Sequence, residues 1–214
     1  MYQEKFWINK NKEYLIKYGV NQPNLFAELV VKYFIPAGSV LDLAAGIGQD
    51  SLYFAQQGFN VTTTEYSEEY FKDVSREVRE QELRINFQSL DLLKNLPFVD
   101  NSFDAVYAHM GLHYFNNKDT RELFKEIYRV IKKDGIFASI FNTIDDPEIE
   151  LFKDSKIEEN LYLSSQGVSK CFFSVNYLQN ISSKLFTPII LDNKGETYKD
   201  GKDANLIRFI GKKL

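Results

Sequence analysis

The stretch Ser39-Val40-Leu41-Asp42-Leu43-Ala44-Ala45-Gly46-Ile47-Gly48 limits the folds open to this chain. A short apolar run with one acid inside it ends in small residues and two glycines. A helical pattern then starts at Gln49-Asp50-Ser51-Leu52-Tyr53-Phe54-Ala55. Strand, glycine turn and helix in that order form the first βα unit of an open α/β sheet, where nucleotide-type ligands bind. Glycine permits positive φ and lets a ligand lie against bare backbone. The free N–H groups at the helix start face that ligand. A P-loop needs a Lys-Ser or Lys-Thr pair after its glycines, and no such pair is present. A dinucleotide fingerprint needs a third glycine where Ser51 stands. Neither pattern accounts for Asp42 inside the strand.

The downstream chain repeats the alternation of strand and helix. Asn24 is placed to cap a helix running through Leu25, Phe26, Leu29, Val30 and Phe34. A helix over about 50–57 stops at Gly58. Phe59 to Thr64 is β-branched and ends at Glu65-Tyr66-Ser67. An acid at the tip of the second strand, about 20 residues past a glycine turn, is placed to accept from ribose hydroxyls. Tyr66 offers a flat face for a purine ring. Ser67 reads as the cap of a helix reaching about Leu83. Arg84 to Leu90 alternates as a third strand and delivers Asp91 to the same sheet edge, where its carboxylate can accept from an exocyclic amine. Asp100-Asn101-Ser102 is a turn, and Phe103 to Ala108 is a fourth strand. Asp119 to Lys133 is an amphipathic helix, with Lys132-Lys133-Asp134-Gly135 as its end; Ile136 to Phe141 is a fifth strand. Ser174 caps a helix through Leu178 and Ile181. Phe186 to Leu191 and Ala204 to Gly211 read as the last two strands.

Taken together, D-x-A-x-G-x-G at Asp42 to Gly48, P-F-x-D-x-S-F-D-x-V at Pro97 to Val106 and L-H-Y-F at Leu112 to Phe115 resemble the motifs of class I S-adenosylmethionine (SAM) methyltransferases. Gly48 to Tyr53, Ile157 to Tyr162 and Phe172-Phe173-Ser174 resemble the tellurite-resistance branch of that family. The resemblance implies a doubly wound, Rossmann-like α/β fold: a seven-stranded, mostly parallel sheet closed by an antiparallel C-terminal β-hairpin. It implies one methyltransferase domain over 1–214, with a helical cap at 1–36, a SAM-binding core at 37–142 and an acceptor-side segment with the hairpin at 143–214. It implies SAM as cofactor, S-adenosylhomocysteine as product, and these positions: Asp42, Ala44, Gly46 and Gly48 at the methionine end, Glu65 on the ribose, Tyr66 beside the adenine, Asp91 and the Leu92 backbone at its edge, Ala108 and His109 at the amino group.

Catalysis of this kind is mostly positioning and exclusion of water. A base matters only where the acceptor must lose a proton. His113 and Tyr162 are the candidates. His109 and His113 are the chain's 2 histidines, but no carboxylate completes a metal-ligand pattern with them. The net charge of −4 and the lack of a basic run argue against a nucleic-acid acceptor. Ala108-His109-Met110-Gly111 stands where an amino-methylating enzyme of DNA or protein would carry N/D/S-P-P-Y/F. Cys171, the single cysteine, reads as far from the strand tips where a cytosine C5 nucleophile sits, and alone it makes no internal disulfide. A small-molecule acceptor remains. No apolar run reaches membrane length or forms a leader, so the expected location is cytoplasmic. Two other readings stay open: a nicotinamide-dependent (NAD or NADP) oxidoreductase on the same strand–turn–helix logic, and a non-catalytic protein that keeps the fold. Phe6, Trp7, Ile8, Tyr14 and Tyr18 form an aromatic N-terminal segment, and the two tyrosines are placed to close over a ligand.

Overall fold

A computed structural model describes residues 9, 11–17, 19–152, 155–164, 167–196 and 205–214. Phe6, Trp7, Ile8, Tyr18 and Ala204 lie outside the described residues. The main sheet contains β1 (Ser39–Asp42), β2 (Asn60–Glu65), β3 (Ile85–Ser89), β4 (Phe103–His109), β5 (Ile131–Asn142), β9 (Phe186–Gly195) and β10 (Leu206–Lys213). Their order is β3-β2-β1-β4-β5-β10-β9. The first five are parallel; β10 runs antiparallel between β5 and β9. The order in which strands are added across the sheet reverses between β1 and β4, so the C-terminal tips of these parallel strands open on the crevice where such sheets bind ligands.

Alternation along the strands separates two apolar layers. Leu41, Val106, Ala108, Phe137, Phe141, Ile207 and Phe209 face α4 (Asn117–Val130) and α5 (Val175–Ser182). Val40, Val61, Ala105, Tyr107, Ala138 and Ile140 face α1 (Leu25–Val30) and α2 (Gln49–Gln56). Leu123, Phe124, Ile127 and Val130 put one stripe of α4 into the core, each worth about 1.5–3 kcal/mol of burial. The third cluster joins Ile47 and Leu52 to Phe71, Val74 and Val78, the last two on α3 (Lys72–Glu80). Tyr14 and Leu15, from the helical stretch 11–17, pack on it.

Three expectations are corrected. Asn24 stands at the start of α1 but makes no capping bond there. Its side chain and its own N–H both donate to the buried Asp50, each at 2.8 Å. Second, α4 ends at Val130, not Lys133. Ile131 is already extended and pairs with Phe103. Lys132 pairs with Asp104 and Lys212 with Asp134, each at 2.8 Å. The Lys-Lys-Asp-Gly run is therefore the irregular start of β5. Third, residues 156–171 form a separate small sheet of β6 (Lys156–Glu158), β7 (Leu161–Leu163) and β8 (Ser169–Cys171), which the sequence reading missed.

Candidate functional site

The glycine turn is built by backbone geometry. Ala44, Gly46 and Gly48 all have positive φ, at 53°, 58° and 77°. Gly48 opens α2 from the left-handed region. A side chain on Gly48 would press on Val74 at 3.0 Å. Ala45 N–H donates to Thr64 O at 2.9 Å, so the turn is stitched to the end of β2. Glu65 completes that seam: its carboxylate accepts from Gly46 N–H at 2.9 Å and from Tyr66 N–H at 2.7 Å. Burial raises the Glu65 carboxyl above the usual range against the pull of those two bonds.

Asp42 lies beneath the turn and is buried. One carboxylate oxygen accepts from Ser51 Oγ at 2.6 Å, and Oδ1 has no partner. Burial, reinforced by the charge of Asp50, holds its carboxyl well above the ordinary value. Asp50 is tied to Tyr107 Oη at 2.7 Å in addition to Asn24.

Tyr66 is 55% exposed at the β2 tip, and Ser89 Oγ donates to its carbonyl at 2.9 Å. Asp91 follows β3, half-buried, and accepts from Leu93 N–H at 3.0 Å; Leu92 packs on the core edge. Leu90 N–H donates to Glu65 O at 2.8 Å, so the β2 and β3 tips stay in register up to these residues. At the β4 tip, Ala108 is fully buried and its carbonyl accepts from Ser139 Oγ at 2.9 Å. His109 has a buried Nε2 without a partner, and burial lowers its ring below the ordinary histidine value. Gly111 then lies against the glycine turn so closely that an added Cβ would stand 2.5 Å from Ala44 Cβ. Thus Asp42, Ala44, Gly46, Gly48, Glu65, Tyr66, Asp91, Leu92, Ala108 and His109 share one edge of the sheet.

His113 is fully buried just beyond that edge, with neither ring nitrogen bonded. Burial, and then the charge of Lys170, hold it well below the ordinary histidine value. Tyr162 is not on the main sheet. It lies on β7, opposite Lys170 on β8, with its ring 5.7 Å from that of Phe172. Lys170 and its partner Glu148 were not found from sequence, because only the folding of β8 beside the β4 tip brings them there. Cys171 is closer to the edge than its sequence position suggested: its N–H donates to His113 O at 2.7 Å. Its thiol is buried and pushed up to about 12, chiefly by that burial, which keeps it protonated and inert. Among the described residues no group of three or more His, Cys, Asp or Glu is arranged to hold a metal ion. No described helix is long and apolar enough to cross a membrane.

The charge of this edge selects among ligands. Glu65 and Asp91 bring two carboxylates to the strand tips, and buried Asp42 lies beneath the turn. Such a rim suits a ligand carrying positive charge, as SAM does on its sulfonium and ammonium. The strand order and the glycine turn give the Rossmann-like fold seen in SAM-dependent methyltransferase structures. Residues 40–135 match the family described as "Methyltransferase domain". Over 121 residues it is 36% identical to "Putative methyltransferase YqeM" of Bacillus subtilis, a match covering 55% of this chain and 47% of that protein. The chain thus spans about half the length of the curated relatives it matches. A SAM-dependent methyltransferase structure from Methanosarcina mazei superposes with a TM-score of 0.74 at 20% identity, covering 87% of this chain and 97% of the other. The Burkholderia thailandensis 1,6-didemethyltoxoflavin-N1-methyltransferase, with 1,6-didemethyltoxoflavin and S-adenosylhomocysteine bound, superposes at 0.69 and 16% identity, covering 99% and 90%.

Proposed function

We propose that this chain transfers a methyl group from SAM to a small organic acceptor. The observation that carries the reading is the acid-rimmed glycine turn, whose charge suits a cationic nucleoside. SAM brings a methyl group already activated on sulfur. The chain's own residues then bind, orient and exclude water. Glu65 takes the ribose hydroxyls, Tyr66 flanks the adenine, and Asp91 with the Leu92 backbone reads the adenine edge. Asp42, Ala44, Gly46 and Gly48 hold the methionine end, while Ala108 and His109 meet the amino group. Residues 143–214 supply the acceptor side. A small acceptor is supported by the enclosed, aromatic surroundings of His113 and by the small molecule bound in the Burkholderia neighbour.

Titration calorimetry with SAM, S-adenosylhomocysteine and NADP tests the donor. Saturable binding of the first two, with none of NADP, is expected. Binding of NADP without SAM overturns the reading. Incubation with methyl-labelled SAM and a metabolite extract tests the transfer: the label is expected in an organic product of low mass, and label only in nucleic acid or protein rejects a small acceptor.

A further inference from the structure

The acceptor side contains a cluster of buried polar groups that the donor site does not use. Lys170 is 8% exposed, and its ammonium donates to Glu148 Oε2. That carboxylate oxygen is its only hydrogen-bond acceptor among the described residues, although an ammonium has three donors. His113 has two unbonded ring nitrogens, and Asn142, 1% exposed, has an unbonded Oδ1. Asn142 Nδ2 is 3.5 Å from the same Glu148 oxygen. Buried polar groups without partners cost about 1–3 kcal/mol each, so several in one place call for a function.

Local structure explains the gathering. The N–H of Cys171 on His113 O fastens β8 beside the segment that follows β4. Phe173 N–H on Asn142 O, at 2.8 Å, fastens the next residues to the end of β5. Lys170 is therefore held between the β4 and β5 tips. Tyr162, its cross-strand partner, shares its face of the small sheet, and the Phe172 ring is 5.4 Å from its ammonium.

Resting on the methyl-transfer reading above, we propose that this cluster receives an acceptor with an acidic hydroxyl, phenolic or enolic, which His113 deprotonates and Lys170 holds as the oxyanion. Three features argue for that class. A buried ammonium favours an anion by direct attraction and disfavours a protonated amine. Tyr162, half-buried and backed by the Phe172 ring, offers aromatic surface to a planar ring. A histidine that is buried, with an ammonium as a further charge against it, is a weak base, so it serves a hydroxyl that is already acidic and fails with an aliphatic alcohol. The step balances. A ring nitrogen of His113 takes the hydroxyl proton, the oxygen forms a bond to the methyl carbon, and the carbon–sulfur bond breaks with its electron pair going to sulfur. The products are the methyl ether, S-adenosylhomocysteine and imidazolium, which passes its proton to water. Glu148, whose side chain is 40% exposed, neutralises Lys170 until the oxyanion arrives.

The test uses 4-nitrophenol, whose phenolate is yellow, and 4-nitroanisole, which has no acidic proton. With S-adenosylhomocysteine present, titrating the full chain into 4-nitrophenol at fixed pH is expected to increase the phenolate band and lower the phenol's apparent pKa by about 1–3 units. Lys170→Met is expected to abolish the gain, and Glu148→Gln, which removes the competing carboxylate, to increase it. 4-Nitroanisole shows no change of band. An equal gain in Lys170→Met, a smaller gain in Glu148→Gln, or no gain in the wild-type protein overturns the proposal. SAM calorimetry on the same preparations separates the two readings. SAM binding without a phenolate gain sinks the acceptor cluster alone. A phenolate gain without SAM binding sinks the donor site alone.

Discussion

Gly111→Ala probes the joint between the glycine turn and the β4 tip. The added Cβ would stand 2.5 Å from Ala44 Cβ and 3.4 Å from Leu43 O. Carbon atoms pack at about 3.5–4.0 Å, so relief requires a shift of roughly 1–1.5 Å. Both backbones are fixed. Leu43 N–H donates to Tyr107 O at 2.9 Å, and Met110 N–H to Ile140 O at 3.3 Å. Overpacking of this kind costs about 1–3 kcal/mol. For a chain of this size that lowers Tm by about 2–12 °C. The relieving shift also moves Ala44 within the proposed donor site, so SAM binding should weaken at least about tenfold, or 1.4 kcal/mol. Ala44→Gly supplies the control. Its φ of 53° strains alanine by about 1–2 kcal/mol, offset by about 0.5–1 kcal/mol of extra chain entropy in the glycine variant. Alone it should change stability by no more than about 1.5 kcal/mol. Combined with Gly111→Ala it removes the opposing methyl, so the double variant should recover most of the loss. Urea unfolding and SAM calorimetry on all four proteins complete the cycle. A Gly111→Ala cost that persists unchanged in the Ala44→Gly background would refute the reasoning.

Further outcomes concern the acids and the buried rings. Glu65→Gln keeps an acceptor for Gly46 N–H but loses the charge, and calorimetry should show SAM bound about 10–100-fold more weakly, as expected for a charged hydrogen bond of about 1.5–3 kcal/mol. Because the Glu65 carboxyl is raised, wild-type SAM affinity should begin to fall on acidification at a higher pH than an exposed glutamate would give; a midpoint at the ordinary value removes Glu65 from the site. Asp42 is raised by burial, so its contribution to stability is complete below its unfolded value of about 4 and is lost as pH rises through its folded value. Asp42→Asn should therefore steepen less between acid and neutral pH and be the more stable protein at neutrality while binding SAM poorly; equal pH profiles refute this. His113 is lowered, so its contribution is complete above about 6.5 and is lost as pH falls toward its folded value. His113→Asn should remove that part of the acid loss from a pH series of urea midpoints. Tyr107→Phe deletes one of three bonds to buried Asp50 and should cost about 1–3 kcal/mol in urea unfolding with an unchanged m-value.

The strand–turn–helix geometry of this edge was legible because its logic is local. A strand tip, a glycine pair and an acid about 20 residues later are fixed by short-range rules, and parallel strands bring such tips to one side. The joint at Val130 was not, since lysines favour helix locally while Asp104 and Asp134 draw Lys132 and Lys212 into the sheet. Asn24 fits a capping rule that the distant Asp50 overrides. The three-residue strands of the small sheet are too short to show alternation. Lys170 and Glu148 were invisible for a related reason. Twenty-two positions separate them, and only the backbone bonds of Cys171 and Phe173 bring them together.

The bonds between Asn24 and Asp50 have a practical result for anyone shortening this chain. The stretch matching the methyltransferase domain begins at residue 40, so a version trimmed to it keeps every glycine and acid of the motif. Yet it leaves the first turn of α2 holding a buried carboxylate with two of its three donors gone. The boundary drawn by similarity thus falls inside the mechanical unit, and the glycine turn proposed to receive the nucleoside is anchored from a segment the motif never mentions.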